Sequence, residues 1–228
     1  MTLIPSKSLS VLVPYRAPAG SHRERLKRFT ERLWSQLPVE VVYADDGQDD
    51  GPFSVAAALN RARARASHDR LLVHGCDHIP PTPDRLWWIH EMLDRVPWTA
   101  VYETTRELTE DHTREVLDGA PIDETKSRVV PACQGIIAMH ADVWDAVGGM
   151  DERFGAKWGY EDTAQRIALH ALYPHGNPRG FGHVVTLWHP PRWETEGTGM
   201  DANRDLAAEY VQAAQEGRMA EYLAARRG

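Results

Sequence analysis

The sequence predicts one α/β domain over residues 1–228, with a mostly parallel central sheet flanked by helices. Three short apolar runs, 9–13, 39–44 and 71–73, alternate with two segments of helical spacing, 23–37 and 53–66. A strand–helix–strand–helix–strand order is typical of a parallel sheet with helices packed on it. No internal repeat or low-complexity linker divides the chain, so a single domain is expected.

The first half of the domain, about residues 9–82, is expected to bind a ligand. In open α/β sheets, ligands bind beyond the carboxyl ends of the strands. Polar residues follow each of the three predicted strands at this edge: Pro14-Tyr15-Arg16, Asp45-Asp46 and Asp77-His78. The polar residues therefore stand where this topology would place a ligand.

The rest of the chain contains a second half, about residues 129–200, and a C-terminal segment. The elements predicted after the third strand are a helix over 83–93, a charged surface excursion or acceptor-side loop over 103–128, a buried strand over 129–139, helices over 141–147 and 161–172, a late strand over 182–188, a mobile lid over 190–203 and a C-terminal helix over 205–227. Gly197 and Gly199 are the reason for predicting a lid.

The composition is that of an ordinary soluble protein, with 42% hydrophobic and 26% charged residues. A formal charge of −7 argues against nonspecific binding to nucleic acid or anionic membranes. Residues 1–14 contain no secretory signal or membrane span, and Cys76 and Cys133 lack the spacing of a zinc or disulfide framework. We expect a cytoplasmic protein without stable membrane association. Nucleic acid is not indicated as a partner, although a modified base remains open as an acceptor.

Two residues at predicted strand ends suit a divalent cation. Asp77 follows an apolar strand and precedes Pro80-Pro81, which would stiffen the turn and fix the direction of the carboxylate. His189 follows the last predicted strand, and at the same sheet edge it could share the ion. Mg²⁺ and Mn²⁺ prefer carboxylate and phosphate oxygens, and Mn²⁺ also accepts imidazole. We expect Asp77 and His189 to hold Mn²⁺ or Mg²⁺, and His78 to be a structural turn residue.

Asp45-Asp46-Gly47 has two interpretations. Asp and Gly dominate tight turns, so the segment can be a turn alone. A carboxylate at this point could instead accept a hydrogen bond from the imide of a nucleobase. The first strand is not followed by Gly-x-Gly-x-x-Gly, and the sequence lacks Gly-x-x-x-x-Gly-Lys-Ser/Thr. Dinucleotide binding and P-loop phosphotransfer are therefore disfavoured.

Glu161 and Asp162 begin a predicted helix directly behind Trp158-Gly159-Tyr160. First-turn acids can simply complement the helix dipole. Alternatively, one of these carboxylates removes a proton from a polar acceptor, which requires a position within hydrogen-bond reach of that proton.

Five stretches and His189 together carry a family resemblance: Val11-Leu12-Val13-Pro14-Tyr15-Arg16, Tyr43-Ala44-Asp45-Asp46-Gly47, Cys76-Asp77-His78-Ile79-Pro80, and Gly148-Gly149-Met150-Asp151-Glu152-Arg153-Phe154 with Trp158-Gly159-Tyr160-Glu161-Asp162. They resemble the GT-A glycosyltransferases, in particular the β-1,4-galactosyltransferase and polypeptide N-acetylgalactosaminyltransferase branch mixed with the large inverting bacterial group. The resemblance covers about residues 11–189, and it implies a nucleotide-binding half over about 9–82 and an acceptor-side half over about 129–200.

This resemblance implies the GT-A nucleotide-diphospho-sugar transferase fold. It also implies a metal-dependent, inverting transfer of a hexose, of galactose or N-acetylgalactosamine type, from a UDP-sugar donor to a hydroxyl acceptor. The implied roles are nucleotide binding by Pro14, Tyr15, Arg16, Asp45 and Asp46, metal binding by Asp77 and His189, base catalysis by Asp162, acceptor binding by Glu161, and an acceptor and donor pocket formed by Trp158, Gly159, Gly135 and Trp193. Retaining relatives carry Glu-Asn in place of Glu161-Asp162, so Asp162 favours inversion.

Five residues depart from the family pattern. Gly75 stands where the first aspartate of the Asp-x-Asp metal motif is expected, and Ser54-Val55 replaces an Asn-Arg nucleotide contact. Thr186 replaces a metal-binding Met, and Ala132 replaces a bulky residue of the donor pocket, where a small side chain could admit an N-acetyl group.

Two other functions remain open at this point. The half-present metal motif suits a catalytically silent domain that binds a sugar nucleotide or a glycan, although such a domain has no use for a base at Asp162. Asp77, His78 and His189 could also serve a metal-dependent hydrolase, with water positioned by Glu161.

Overall fold

A computed structural model of the chain describes residues 9–131, 135–155, 159–190 and 200–227. Eight strands lie within these ranges, numbered in chain order: β1 Ser10–Pro14, β2 Glu40–Ala44, β3 Arg70–Val73, β4 Trp98–Ala100, β5 Thr104–Leu108, β6 Ser127–Pro131, β7 Ile137–His140 and β8 His183–Thr186. The same ranges contain eight α-helices: α1 His22–Trp34, α2 Val55–Arg65, α3 Pro83–Leu93, α4 Glu110–Leu117, α5 Ala141–Ala146, α6 Glu161–Leu172, α7 Met200–Gln215 and α8 Met219–Arg227.

The central sheet has five strands in the order β2-β1-β3-β7-β4. Strand β1 pairs in parallel with β2 and β3, as predicted, and β7 runs antiparallel to β3 and β4. The parallel pairing thus lies in the first half of the chain. It brings the carboxyl ends of β1, β2 and β3 to one edge, with Pro14, Ala44 and Val73 as their last residues.

Helices cover both faces of this sheet because alternate strand residues point to opposite sides. Leu12 of β1 packs in a core with α2, α5, α6 and α7. Its neighbours Val11 and Val13 pack in a second core with α1 and α3, where they meet Trp34 and Ile89. A strand buried on both faces needs a continuous apolar run, which is what residues 9–13 provide.

The stretch 103–128 is ordered secondary structure, which corrects the expectation of a surface excursion. It forms β5, α4 and the start of β6, in a second sheet of order β6-β5-β8. Its charges pair across the strands, as Arg128 does with Glu107 at 2.7 Å on the register pair of β5 and β6. The apolar pattern was weak because this sheet presents a charged face to solvent.

Two further boundaries differ from those predicted. The single strand expected over 129–139 is divided between β6 and β7, which belong to different sheets. The single helix expected over 205–227 is two helices, α7 and α8. Gly217 lies between them with φ of +67°, a left-handed conformation that glycine adopts easily and that ends a helix. No helix in the described part of the chain has the length and apolarity needed to cross a membrane.

The Gly148–Phe154 turn, part of the family resemblance, fastens the C-terminal helices to the domain. The carboxylate of Asp151 is buried and accepts hydrogen bonds from Arg153 Nη2 at 2.8 Å and from the hydroxyl of Tyr210 at 2.9 Å. Arg226 of α8 donates to the carbonyl of Gly148 at 2.7 Å. These contacts join the turn, α7 and α8 into one polar network.

Replacing Asp151 with Asn should lower stability in a pH-dependent way. Burial would raise the pKa of Asp151, but hydrogen bonds from Arg153 and Tyr210 outweigh it, so the pKa lies below its usual value. A depressed folded-state pKa means that the stabilisation is complete above the unfolded value, near 3.9, and is lost as the pH falls. Urea unfolding should show Asp151→Asn less stable by about 1.5–3 kcal/mol at pH 7, with a smaller difference below about pH 4. An equal difference at both pH values would contradict this.

Candidate active site

The turn that follows β3 is joined to the end of β8 by backbone hydrogen bonds. Ile79 N donates to Val185 O at 2.9 Å, and Leu187 N donates to Asp77 O at 2.8 Å. The late strand was expected in the same sheet as Asp77, but β8 belongs to the second sheet. These bonds, with a β-bridge between His78 and Thr186, join the two sheets at this point. They bring the segment that carries His189 to the edge where Asp77 lies.

Asp77 and His189 are in direct contact, with 2.9 Å between Oδ2 and Nε2. The Asp77 side chain is only 8% exposed. Burial would raise its pKa, but the charge of His78 and the hydrogen bond from His189 hold the pKa of Asp77 well below its usual range. For His189, burial would lower the pKa, and the contact with Asp77 raises it instead. The site thus holds an ionised carboxylate against an imidazole.

The tautomer of His189 leaves the contacting nitrogen suitable as a metal ligand. His189 Nδ1 lies 2.9 Å from the carbonyl oxygen of Pro190, which can only accept, so Nδ1 carries the proton. In this structure Nε2 also carries a proton, which it donates to Asp77 Oδ2, and a bound cation would take the place of that proton on Nε2. A carboxylate oxygen and an imidazole nitrogen fit Mn²⁺ better than Mg²⁺. Among the residues that the structure describes, no three His, Cys, Asp or Glu side chains form a complete metal site, so a bound diphosphate or water would supply the other ligands.

The ring of His78 explains why position 75 carries no side chain. A Cβ on Gly75 would lie 2.1 Å from His78 Nδ1 and 2.5 Å from Asp77 Oδ1, both far inside contact distance. His78 Nδ1 is buried 3.4 Å from Asp77 Oδ1, where it makes no hydrogen bond. The neighbouring His74 is fully buried, and burial, with the charge of His78, lowers its pKa to about 3. The first aspartate of the family motif therefore has no space in this turn.

Gly75→Ala should destabilise the protein by about 1–3 kcal/mol, because overpacking at a rigid site displaces the His78 ring or the Asp77 carboxylate. Combining it with His78→Ala removes the larger overlap and should recover part of that loss. Urea unfolding of the two single variants and the double variant measures this coupling. A fully additive pair would show that the His78 ring does not occupy the space at position 75.

A cavity of about 810 Å³ opens beside His189. It is lined by residues of the loop after β1, the start of α1, the loop before α2 and the end of the β8 segment: Arg16, Ala17, Pro18, Ser21, His22, Arg23, Asp49, Asp50, Gly51, Phe53, His189 and Pro190. The volume is of the size that holds a small-molecule ligand. Arg16, Arg23 and the N-terminus of α1 contribute positive charge to its wall, and Asp49 and Asp50 contribute negative charge.

His22 and Arg23 were not identified as site residues from the sequence. Arg23 lies close enough to His189 for its charge to act on the imidazole, and close enough to Cys76 to hydrogen-bond the buried thiol. A signal was present, because Ser21 caps α1 through a hydrogen bond from Glu24 N at 3.2 Å. A capped helix that begins with basic residues is a pattern typical of anion sites.

Arg16 and Asp46 are brought together, and their contact shapes one wall of the cavity. Arg16 Nη1 donates to Asp46 Oδ1 at 2.9 Å and to the carbonyl of Gln48 at 3.0 Å, and Nη2 donates to the carbonyl of Gly51. The other oxygen of Asp46 accepts from Ser54 N at 2.9 Å. The buried Asp46 thus supports the loop, whereas Asp45 is exposed and accepts from Gly47 N at 3.0 Å.

The acidic pair lies at the start of α6, behind a constrained turn. Tyr160 has φ of +72°, the one described non-glycine residue with a positive φ, and strain of this kind is concentrated at functional sites. Asn203 of α7 donates to the carbonyl of Gly159 at 2.9 Å. Asp162 Oδ1 accepts from Thr163 N at 2.7 Å, and both acids are partly exposed. Glu161 and Asp162 do not line the cavity beside His189.

The remaining site predictions are placed as follows. The backbone N–H of Tyr15 donates to Ala44 O at 2.8 Å. The centroid of the Tyr15 ring lies 5.6 Å from Lys27 Nζ. Pro14 ends β1, and Gly135 is exposed. Trp158, Trp193, Ala132 and residues 191–199 of the lid expected over 190–203 lie outside the described residues, and residues 200–203 of that expected lid begin helix α7.

The solved structures that are similar to the chain at TM-scores above 0.5 include the following three. Drosophila β-1,4-galactosyltransferase 7, with manganese, UDP-Gal and xylobiose, is 16% identical with a TM-score of 0.51, over 88% of this chain and 79% of that chain. A mannosyltransferase from Pyrobaculum calidifontis, with GDP-Man and Mn²⁺, is 16% identical with a TM-score of 0.52, over 96% and 71%. Glucosyl-3-phosphoglycerate synthase from Mycobacterium tuberculosis, with Mn²⁺, UDP-Glc and phosphoglyceric acid, is 14% identical with a TM-score of 0.51, over 93% and 80%.

These similarities confirm the predicted fold. All three structures are nucleotide-sugar transferases of the GT-A fold, and each covers most of the present chain. No family model and no curated protein sequence matches the chain. At 14–16% identity the similarity shows the fold alone, and function has to be argued from the site.

Proposed function

We propose that the protein is a metal-dependent glycosyltransferase that moves a sugar from a nucleotide-diphosphate donor to a hydroxyl acceptor. The observation that carries the proposal is the 2.9 Å contact between buried Asp77 and His189 beside a cavity of about 810 Å³. In a GT-A fold, this contact lies at the carboxyl edge of the parallel strands, where ligands of α/β sheets bind. The Mn²⁺ and sugar nucleotides in the three similar structures support the proposal.

Asp77 and His189 would hold Mn²⁺, or less favourably Mg²⁺. The bound ion would neutralise the charge that develops on the leaving diphosphate. Arg23 lies close to His189 and lines the same cavity, so its guanidinium would contact the phosphates. The chain's own residues thereby keep the donor diphosphate at one position and orient its anomeric carbon.

The nucleotide is proposed to be UDP. Asp45, exposed at the carboxyl end of β2, would accept a hydrogen bond from the imide N–H of uracil. Pro14, Tyr15 and Arg16 would form the surface under the nucleoside. Arg16 would act mainly by holding the loop over 46–51, and Asp46 would support it from beneath.

Asp162 is proposed as the general base and Glu161 as an acceptor ligand. The acceptor oxygen would form a bond to the anomeric carbon while the bond from that carbon to the β-phosphate oxygen breaks, with inversion. The acceptor proton passes to the Asp162 carboxylate, and the electron pair of the broken bond stays with the diphosphate. Gly159 and Gly135, with Trp158 and Trp193, would complete the donor and acceptor pocket. The transferred sugar is proposed to be galactose or N-acetylgalactosamine.

A screen for nucleotide release tests this function. The protein is incubated with Mn²⁺ and UDP-galactose, UDP-N-acetylgalactosamine, UDP-glucose or GDP-mannose, with and without EDTA. Slow release from one UDP-sugar, abolished by EDTA and increased by an acceptor, is the expected result. Binding without release would favour a silent sugar-nucleotide-binding domain, and full turnover without any acceptor would favour a hydrolase.

A further inference from the structure

The backbone of Trp188, the residue directly before His189, is held from two sides. Its N–H donates to the hydroxyl oxygen of Thr113 at 2.8 Å, and its carbonyl accepts from His22 Nε2 at 2.9 Å. The rings of His22 and Trp188 also meet edge to face, with 5.7 Å between centroids. The two hydrogen bonds come from different helices, Thr113 from α4 and His22 from α1.

These bonds continue the attachment that joins β8 to the Asp77 turn. Leu187 N donates to Asp77 O, so the peptide groups of Leu187 and Trp188 are both fixed before the chain reaches His189. Between Trp188 N and the imidazole of His189, only the rotatable bonds of two residues remain. The placement of His189 Nε2 within 2.9 Å of Asp77 therefore depends on how the Trp188 peptide is held.

We propose that Thr113 and His22 are positioning residues that fix the metal-binding imidazole of His189. This rests on the function proposed above. Thr113 is fully buried and does not line the cavity, so it acts on the ion through Trp188 and His189 alone. Groups that orient a metal ligand without touching the ion typically change metal affinity by 10- to 100-fold when they are removed.

The test is Mn²⁺ affinity, measured by electron paramagnetic resonance of free Mn²⁺ in the presence of UDP. Thr113→Val keeps the shape of the side chain and removes the acceptor, and it should weaken Mn²⁺ binding about 10-fold or more. Thr113→Ser keeps the acceptor and should bind as the wild type does. His22→Phe keeps an aromatic ring against Trp188 but loses the Nε2 donor, and it should also weaken binding.

Thr99→Val is the matched control. Thr99 on β4 is equally buried, and its hydroxyl accepts from Asn177 Nδ2 at 3.0 Å, away from the Asp77 turn. Its loss should lower the thermal midpoint as much as Thr113→Val does, with Mn²⁺ affinity unchanged. Equal Mn²⁺ affinity in wild type, Thr113→Val and His22→Phe would overturn the positioning role and leave the proposed function standing. Absence of Mn²⁺ binding in the wild type would overturn both. If Thr113→Val does not fold, the His22→Phe result decides.

Discussion

Asp77→Asn is expected to weaken metal-dependent nucleotide binding by about 100-fold or more. The substitution keeps the size of the side chain and removes its charge, so the Asp77–His189 pair loses its anionic ligand. Residues that only support a metal ligand typically contribute 10- to 100-fold in affinity, and a direct ligand should lie at or beyond the upper end. We expect nucleotide affinity in Mn²⁺ to fall by about 100-fold or more, or at least about 2.8 kcal/mol.

Calorimetry with UDP and Mn²⁺ measures this effect, and Asp84→Asn is its control. Asp84 is an exposed acid in the first turn of α3, so its replacement makes the same charge change a few residues further along. The control should bind as the wild type does. If the Asp77→Asn variant still binds UDP tightly and its binding still depends on Mn²⁺, the ion is held by other residues.

Asp162→Asn is expected to reduce transfer by about 10²- to 10⁴-fold in kcat, the usual contribution of a general base. This corresponds to about 3–5 kcal/mol in the activation barrier. The amide oxygen can still accept the hydrogen bond from Thr163 N, so the start of α6 should remain intact. Nucleotide affinity should be unchanged, because the proposed role is confined to the acceptor.

Asp142→Asn is a matched control for this variant. Asp142 also begins a helix, and its Oδ1 accepts from the N–H of the next residue, Val143, at 2.9 Å. If first-turn acids matter only through the helix dipole, the two substitutions should have equal effects on stability and none on transfer. Near-normal turnover of Asp162→Asn would remove Asp162 from catalysis.

The parallel half of the central sheet could be predicted from the sequence for a simple reason. Strands buried on both faces must be continuously apolar, so residues 9–13 and 71–73 were visible as strands. Parallel strands also align their carboxyl ends, so Asp45 and Asp77 could be assigned to one edge. The bounds of α3 and α6 match the predicted 83–93 and 161–172, and the start of α3 is marked by Pro83 in its first turn behind the Thr82 cap.

The second sheet and the helix that supports it could not be predicted in the same way. The apolar contribution of β5 and α4 is small, with Leu108 and Val116 in a minor core, while their charges pair on the surface. A local sequence pattern also does not specify which residues of two distant segments pair with each other. The family resemblance paired Asp77 with His189, but the bonds that Leu187 and Trp188 make with other elements became visible only in three dimensions.

Some roles were less well resolved because two neighbouring residues share one motif. Asp45 and Asp46 were equivalent candidates for nucleobase binding, and the structure distinguishes them by burial and by the Arg16 and Ser54 contacts of Asp46. His78 was interpreted as a turn residue, and its effect on the space at Gly75 depends on ring geometry that no sequence pattern encodes.

The most direct test of the proposed function is a calorimetric titration of UDP, GDP and dTDP into the purified protein, first with Mn²⁺ and then with EDTA. The Asp77–His189 pair and the adjoining cavity predict that UDP binds in Mn²⁺ and that EDTA abolishes the binding. No binding of any nucleotide in the presence of Mn²⁺ would contradict the proposed function, and binding of UDP that EDTA does not affect would contradict the role of the cation.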